Sequence, residues 1–350
     1  MKKRVKITLV FIIFLICLMT IFACHDCVLK GISSGLYLCG SVIIPSLFPM
    51  LCLTSFLALS GILEVFSCKL DRFSRKFFHL SGYYIPIFII SMISGYPVGA
   101  SIANSVFEKG GISVSERNRI ASVSCSSGPA FILLAVGVNM FNSYKIGEIL
   151  LFSNLLACIF TALIATKFFK RSNEKAIFTA HSPALSDCAV FAVSNATSSI
   201  ISISAFTIIF SAIVNVLTLL CKNKIALLSA VSILEVTNGV FELANEKVAL
   251  PFVCAVIGFG GISVIFQISA VLKNDRPPIL KIIAVRFLCA VLSFIFCFIA
   301  CKVFKITTPV LTSFNVYLKT TSQNYYFSVA LIFLSVVFLA FLQKQRIKSK

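Results

Sequence analysis

The sequence predicts an all-α, polytopic integral membrane protein with inverted repeats and broken or re-entrant helices. Three observations predict it. Of 350 residues, 59% are hydrophobic and only 12% charged, and the mean hydropathy is +1.01, values foreign to soluble domains. The apolar residues fall in runs, several of them long enough for a helix to cross a bilayer. Gly and Pro interrupt these runs where a spanning helix would otherwise continue, as in Ser94-Gly95-Tyr96-Pro97-Val98-Gly99-Ala100. In lipid, each N–H or C=O group freed by a break costs several kcal/mol. A break therefore survives only inside protein or against a wet cavity.

In chain order, the run 5–23 follows Lys2, Lys3 and Arg4. It reads as a transmembrane helix within residues 1–24, with a cleaved signal peptide as the alternative. The run 35–66 is too long for one straight helix, and breaks are expected at Pro45 and Pro49. Short apolar segments at 83–95 and 129–141 precede a full span at 146–168. Between them, the polar run 101–125 reads as two small helices. The first ends at Gly110-Gly111, and the second opens with a capping box, Ser113-Val114-Ser115-Glu116. Further apolar runs follow at 199–221, 225–237, 249–272, 279–304 and 326–342. The expected organisation is a membrane repeat at 35–169, a polar cytoplasmic linker at 170–198 and a second repeat at 199–304. An external loop at 305–325 and a C-terminal helix with a basic tail at 326–350 complete it.

The formal net charge is +19. The basic residues cluster at the ends of apolar runs, so they mark topology and not a nucleic-acid-binding face. Lys2 to Lys6, Lys69 to Lys76, Lys167 to Lys175, Lys273 to Lys281 and the tail from Lys344 all face the cytoplasm if 83–100 enters and returns on one side. Both termini are then cytoplasmic. On this count 35–66 and 199–221 run in opposite directions, and the two halves become inverted repeats of the kind that places paired broken segments at a midplane site. Most of the 14 Cys lie singly in apolar runs and act as small hydrophobes. Cys24-His25-Asp26-Cys27 is the one close pair, without partners for a metal site. No phosphate-binding loop or nucleophile–base arrangement is legible, so no catalytic residue, enzyme activity or bound cofactor is expected. A proton or Na+ is the candidate coupling ion.

The breaks carry the candidate site. Ser127-Gly128-Pro129 has the makings of a helix start, with Ser to cap and Pro at the first helical position. Gly260-Gly261-Ile262-Ser263 is similar. Helix N-termini carry about half a positive charge and suit anions. Glu235 ends an apolar run beside Thr237, Asn238 and Gly239, where a break is expected. An intramembrane carboxylate is functional by default. The candidate substrate-binding set is Gly95, Pro97, Ser127, Gly128, Glu235, Thr237, Asn238, Gly260, Gly261 and Ser263. Gln267, Asn104 and Glu108 are weaker candidates. Arg286 either snorkels to the surface or faces the site as a counter-charge.

Five stretches in this order resemble one family: Ser-Gly-Tyr-Pro-Val-Gly-Ala (94–100), Phe-Glu-Lys-Gly-Gly-Ile-Ser (107–113), Ser-Gly-Pro-Ala-Phe-Ile (127–132), Leu-Glu-Val-Thr-Asn-Gly (234–239) and Gly-Phe-Gly-Gly-Ile-Ser (258–263). The chain is similar, from about residue 35 to 304, to the sporulation integral membrane protein YlbJ family. That family carries a nucleoside-recognition, or gate, domain and is distantly similar to concentrative nucleoside transporters. Ser126 and Ser127 stand where family members often have Asn before the Gly-Pro. The resemblance implies a multi-pass protein of the outer forespore membrane, made by the mother cell, that moves dipicolinic acid during sporulation. A non-transporting scaffold or nucleoside-binding sensor for the spore envelope is the alternative. The implied partners are a small-molecule substrate and the bilayer, with a second copy or other sporulation membrane proteins as further candidates.

Overall fold

The computed structural model describes residues 8, 11, 12, 15, 18–168, 176, 177, 184–272 and 275–305. The expected C-terminal helix and tail, the external loop beyond residue 305, and most of residues 1–17 lie outside them. The described part of the N-terminal run is helical at 18–23. Everything else described is helix or short connection, as the composition requires.

The first long unit is α1 (His25–Leu38), a π-helical turn (Cys39–Ile43) and α2 (Ile44–Leu59) in unbroken succession. The expected breaks at Pro45 and Pro49 do not occur. Pro45 sits in the first turn of α2, and Pro49 lies inside the helix. A proline ring collides with the carbonyl four residues earlier, and the wider π turn immediately before Pro45 absorbs that crowding without ending the helix. The real break is Ser60-Gly61, where Gly61 has φ 79°. There the chain turns by 72° into α3 (Ile62–Phe78). α3 is amphipathic, with Leu63, Glu64, Ser67 and Ser74 buried and Phe66, Phe73 and Phe77 exposed. Lys109 Nζ holds the corner, donating to Ala58 O at 2.8 Å and lying 3.5 Å from Glu64.

α4 (Tyr84–Ser94), α5 (Val98–Glu108) and α6 (Val114–Val123) follow. Ser113 caps α6, accepting from the Glu116 N–H. The reciprocal half of the expected capping box is not made, because the Glu116 carboxylate accepts from the Ser81 N–H instead. Helix resumes at Pro129 and becomes α7 (Phe131–Met140), wound as a π-helix, then α8 (Tyr144–Phe168).

The second half begins with α9 (Leu185–Leu220), 36 residues or about 54 Å long. Its first turns take up residues expected to be linker. α10 (Lys224–Leu234), α11 (Val236–Asn245), α12 (Leu250–Phe259), α13 (Gly261–Leu272) and α14 (Ile279–Val303) complete the described chain. Among the described residues, α8, α9, the α12–α13 pair and α14 are long and apolar enough to cross a membrane, and α2 with α3 would make a fifth span. The protein is an all-helical, multi-pass membrane protein.

Two antiparallel pairings frame the bundle. α1 and α2 run against α9: a Cβ on Gly31 would meet Ala212 Cα at 2.6 Å, one on Gly35 would meet Ile208 Cα at 2.8 Å, and Cys188 Sγ reaches Leu59 O. α8 runs against α14, through Asn154 to Ser293 and Cys158 to Cys289. Gly31 and Gly35 form the Gly-x-x-x-Gly spacing that lets membrane helices touch backbone to backbone. Gly31→Leu is expected to destabilise the protein by about 1–3 kcal/mol, since backbone cannot move aside as a side chain can. Gly40→Ala is the control, for nothing lies within 4 Å of a Cβ there. Melting of both variants in detergent is the check.

Candidate functional site

Each half contains two breaks, and within each half the two breaks touch. In the first, Gly95 ends α4 with φ 87°, a left-handed conformation that favours glycine. A Cβ there would lie 3.0 Å from Gly128 N, so the two backbones cross at glycines. In the second, Glu235 is an extended residue between α10 and α11, and Gly261 sits against its backbone, a Cβ on Gly261 falling 3.1 Å from Glu235 Cα. The two crossings face one cavity of about 430 Å³.

Six of the ten candidate residues line that cavity: Gly95, Ser127, Gly128, Glu235, Thr237 and Ser263. The other four are placed elsewhere. Pro97 precedes α5 as its N-cap residue, after a cis peptide bond from Tyr96. Asn238 is committed to Glu235 and Ser211. Gly260 terminates α12 with φ 81°, against Arg286 and Tyr96. Gly261 supports the Glu235 backbone. Of the weaker candidates, Gln267 lines the cavity and donates to Ser263 Oγ at 3.3 Å. Asn104 and Glu108 do not line it. They bond to each other, and Asn104 accepts from Arg117.

Three expectations need correction. The break in the second half falls at Glu235, not at Thr237-Asn238-Gly239, which form the first turn of α11. Glu235 itself is the N-cap. Its Oε1 accepts from the Thr237 N–H at 3.0 Å, and its Oε2 accepts from the Asn238 N–H at 2.7 Å. The carboxylate is only 4% exposed and occupies the positive end of a helix whose first N–H groups otherwise have no acceptor. Ser127 does not cap the following helix. Its hydroxyl pairs with Tyr96 Oη and reaches Ile257 O.

Arg286 neither snorkels nor lines the cavity. It is 2% exposed, and its guanidinium donates to three backbone carbonyls: Cys125 before the first-half break, and Gly258 and Phe259 at the end of α12. Those last carbonyls are the negative pole of α12. Tyr96 stands between Arg286 and the cavity, its ring 5.6 Å from the guanidinium carbon. One side chain on α14 thus binds both halves at their breaks.

Sequence reasoning missed Tyr96, although it stands inside the motif that drew attention to the region. It also missed the π turn at Cys39–Ile43, where Ser41 and Ile43 line the cavity, and Thr207 of α9, which lines it as well. Asn139 of the π-helical α7 joins them. π turns often accompany functional sites, but nothing in composition marks them in advance. Tyr96→Phe removes only the hydroxyl paired with Ser127 and keeps the ring over Arg286. It is expected to cost about 1 kcal/mol, read as a small fall in the detergent melting midpoint.

Comparison with known proteins adds a relative. No family model matches the chain, and no solved structure matches it. The chain is 23% identical over 314 residues to the sporulation integral membrane protein YlbJ of Bacillus subtilis (strain 168), covering 78% of this chain and 77% of that protein. That similarity supports the resemblance to the sporulation integral membrane protein YlbJ family that the five stretches carry. A match over 78% of the chain is long enough to take in both pairs of breaks.

Proposed function

We propose that this chain is a member of the YlbJ family and a secondary transporter acting in sporulation, with the 430 Å³ cavity as its substrate site. The observation that carries the reading is that the broken segments of both halves meet on one chamber, whose largely apolar wall carries a set of hydroxyls, amides and one carboxylate. Breaks of this kind persist only where they are buried in protein or line a wet cavity, and these line one. The volume lies within the range of small-molecule sites. Corresponding elements of the two halves, α1–α2 with α9 and α8 with α14, run antiparallel, which supports the inverted-repeat reading and alternating access.

The chamber wall offers hydroxyls from Ser41, Ser94, Tyr96, Ser127, Thr207 and Ser263, amides from Asn139 and Gln267, and the carboxylate of Glu235. The helix starts at residue 129 and Gly261 add positive dipole ends. That set suits a small solute with several hydrogen-bonding oxygens or nitrogens. A small aromatic dicarboxylate, dipicolinic acid crossing the outer forespore membrane, is the substrate of choice, with a nucleoside-like solute as its competitor. Because Glu235 neutralises the α11 end, the proposed seat for the dicarboxylate is the helix start at 128–130, with the Ser263 hydroxyl also on the wall. A proton or Na+ couples the movement.

Uptake by reconstituted vesicles tests this. Labelled dipicolinate should accumulate against a gradient of H+ or Na+, and Ser127→Ala should slow it several-fold while leaving membrane insertion intact. Preferential uptake of nucleoside would change the substrate. No accumulation of either, with cysteines introduced at 95 and 237 reachable by thiol reagents from one side only, would end the transporter reading.

A further inference from the structure

A second cavity, of about 700 Å³, lies at the other end of the α8–α14 pair from the α8 N-terminus, between the end of α8, the start of α14 and α6. It shares no described lining residue with the chamber above. Its polar wall is Arg119, Lys281, Asn118, Ser115 and Ser122, and no Asp or Glu is among its described lining residues. Glu116, one turn before Arg119, is engaged with the Ser81 N–H and stays out of the wall. Arg119 is held in place by donating to His79 O at 2.8 Å. Pro277 and Pro278 lead into the N-terminus of α14 at the rim, whose dipole adds to the positive field.

The floor is apolar: Ala165, Val285 and Leu288. It opens beside a surface rich in exposed hydrophobic side chains, Phe168, Leu280 and Phe287 among them. A free inorganic anion gains nothing from such a floor. A molecule with an anionic head and an apolar tail matches both parts at once, the phosphate against Arg119 and Lys281 and the chain along Val285 and Leu288. We propose that this cavity binds the phosphate headgroup and upper acyl chain of an anionic phospholipid. The site rests on its own residues and stands whatever solute the other chamber carries.

The chain contains no Trp, so Leu288→Trp installs a single fluorescent reporter on the floor. The full-length protein in neutral detergent is titrated with phosphatidylglycerol or phosphatidylcholine brominated on the acyl chain. Saturable quenching by the phosphatidylglycerol at several-fold lower concentration than by the phosphatidylcholine is expected, reversed by unbrominated phosphatidylglycerol and not by inorganic phosphate. Lys281→Gln, at an exposed position, should weaken it several-fold without altering the fold. Equal quenching by both lipids, displacement by inorganic phosphate, or unchanged binding in Lys281→Gln would each overturn the proposal.

Discussion

Arg286→Met should leave a chain that inserts into the membrane but does not hold its breaks together. The substitution is close in length and removes a charge, so the two opposing effects must be weighed. Losing a buried cation relieves an insertion penalty of roughly 3 kcal/mol. Against that, the carbonyls of Cys125, Gly258 and Phe259 all lose their guanidinium donor, Cys125 O keeping only the weak Cys158 thiol contact. Each buried carbonyl left bare costs about 1–3 kcal/mol, and bonds to a charged donor are the stronger kind. Three such losses outweigh the relief, and they fall where the two halves join. The net destabilisation is expected to be a few kcal/mol, a large share of a typical protein's stability.

The chain supplies its own reporters for this. Cys125, Cys158 and Cys289 are buried beside Arg286. In the Met variant they should become labelled by a maleimide, mapped by mass spectrometry, at a rate many-fold above the parent. Arg286→Lys should fall close to Met. An ammonium is a point donor and cannot reproduce the planar fork that spans carbonyls on two elements. Unchanged labelling in both variants would mean that the guanidinium only fills space.

How far all this was legible in the sequence divides along a physical line. Apolar runs and Gly/Pro interruptions report local needs, so the helical class and the interruptions of helix near Gly95, Gly128, Glu235 and Gly261 could be read from one stretch at a time, while the contact of Gly95 with Gly128 could not. Pro45 misled because a π turn, which no residue type announces, let the helix pass through it, and Pro49 sits inside the same helix without ending it. Gly260 drew notice correctly as a break residue and Asn238 wrongly, since Asn238 lies in the first turn of α11, and the two act by making room for Arg286 and Tyr96 and by holding Glu235. Composition cannot separate a residue that faces a chamber from one that braces it. Arg286 was the hardest case. Its partners are backbone carbonyls 27 to 161 residues away, and carbonyls are the same in every residue, so no pattern of side chains pointed to them.

Glu235→Gln should lower vesicle uptake about tenfold with little loss of stability. The reason lies in the double duty of the carboxylate. As N-cap it accepts two backbone N–H groups, one on each oxygen, and the Asn238 side-chain amide as well. Glutamine keeps one acceptor and turns its amide nitrogen toward a donor, so one backbone N–H at the α11 start loses its partner, at a cost of about 1 kcal/mol. That much is bearable. What the site also loses is its one described wall carboxylate, and with it the group that cancels the α11 dipole and could hold a coupling cation. Glu235→Asp separates the two duties, because Asp is a good N-cap but is one methylene shorter. It should restore the melting midpoint and leave uptake impaired. Were Asp and Gln both to transport at the parent rate, the carboxylate would be a cap alone, and the coupling ion would have to be sought elsewhere on the wall.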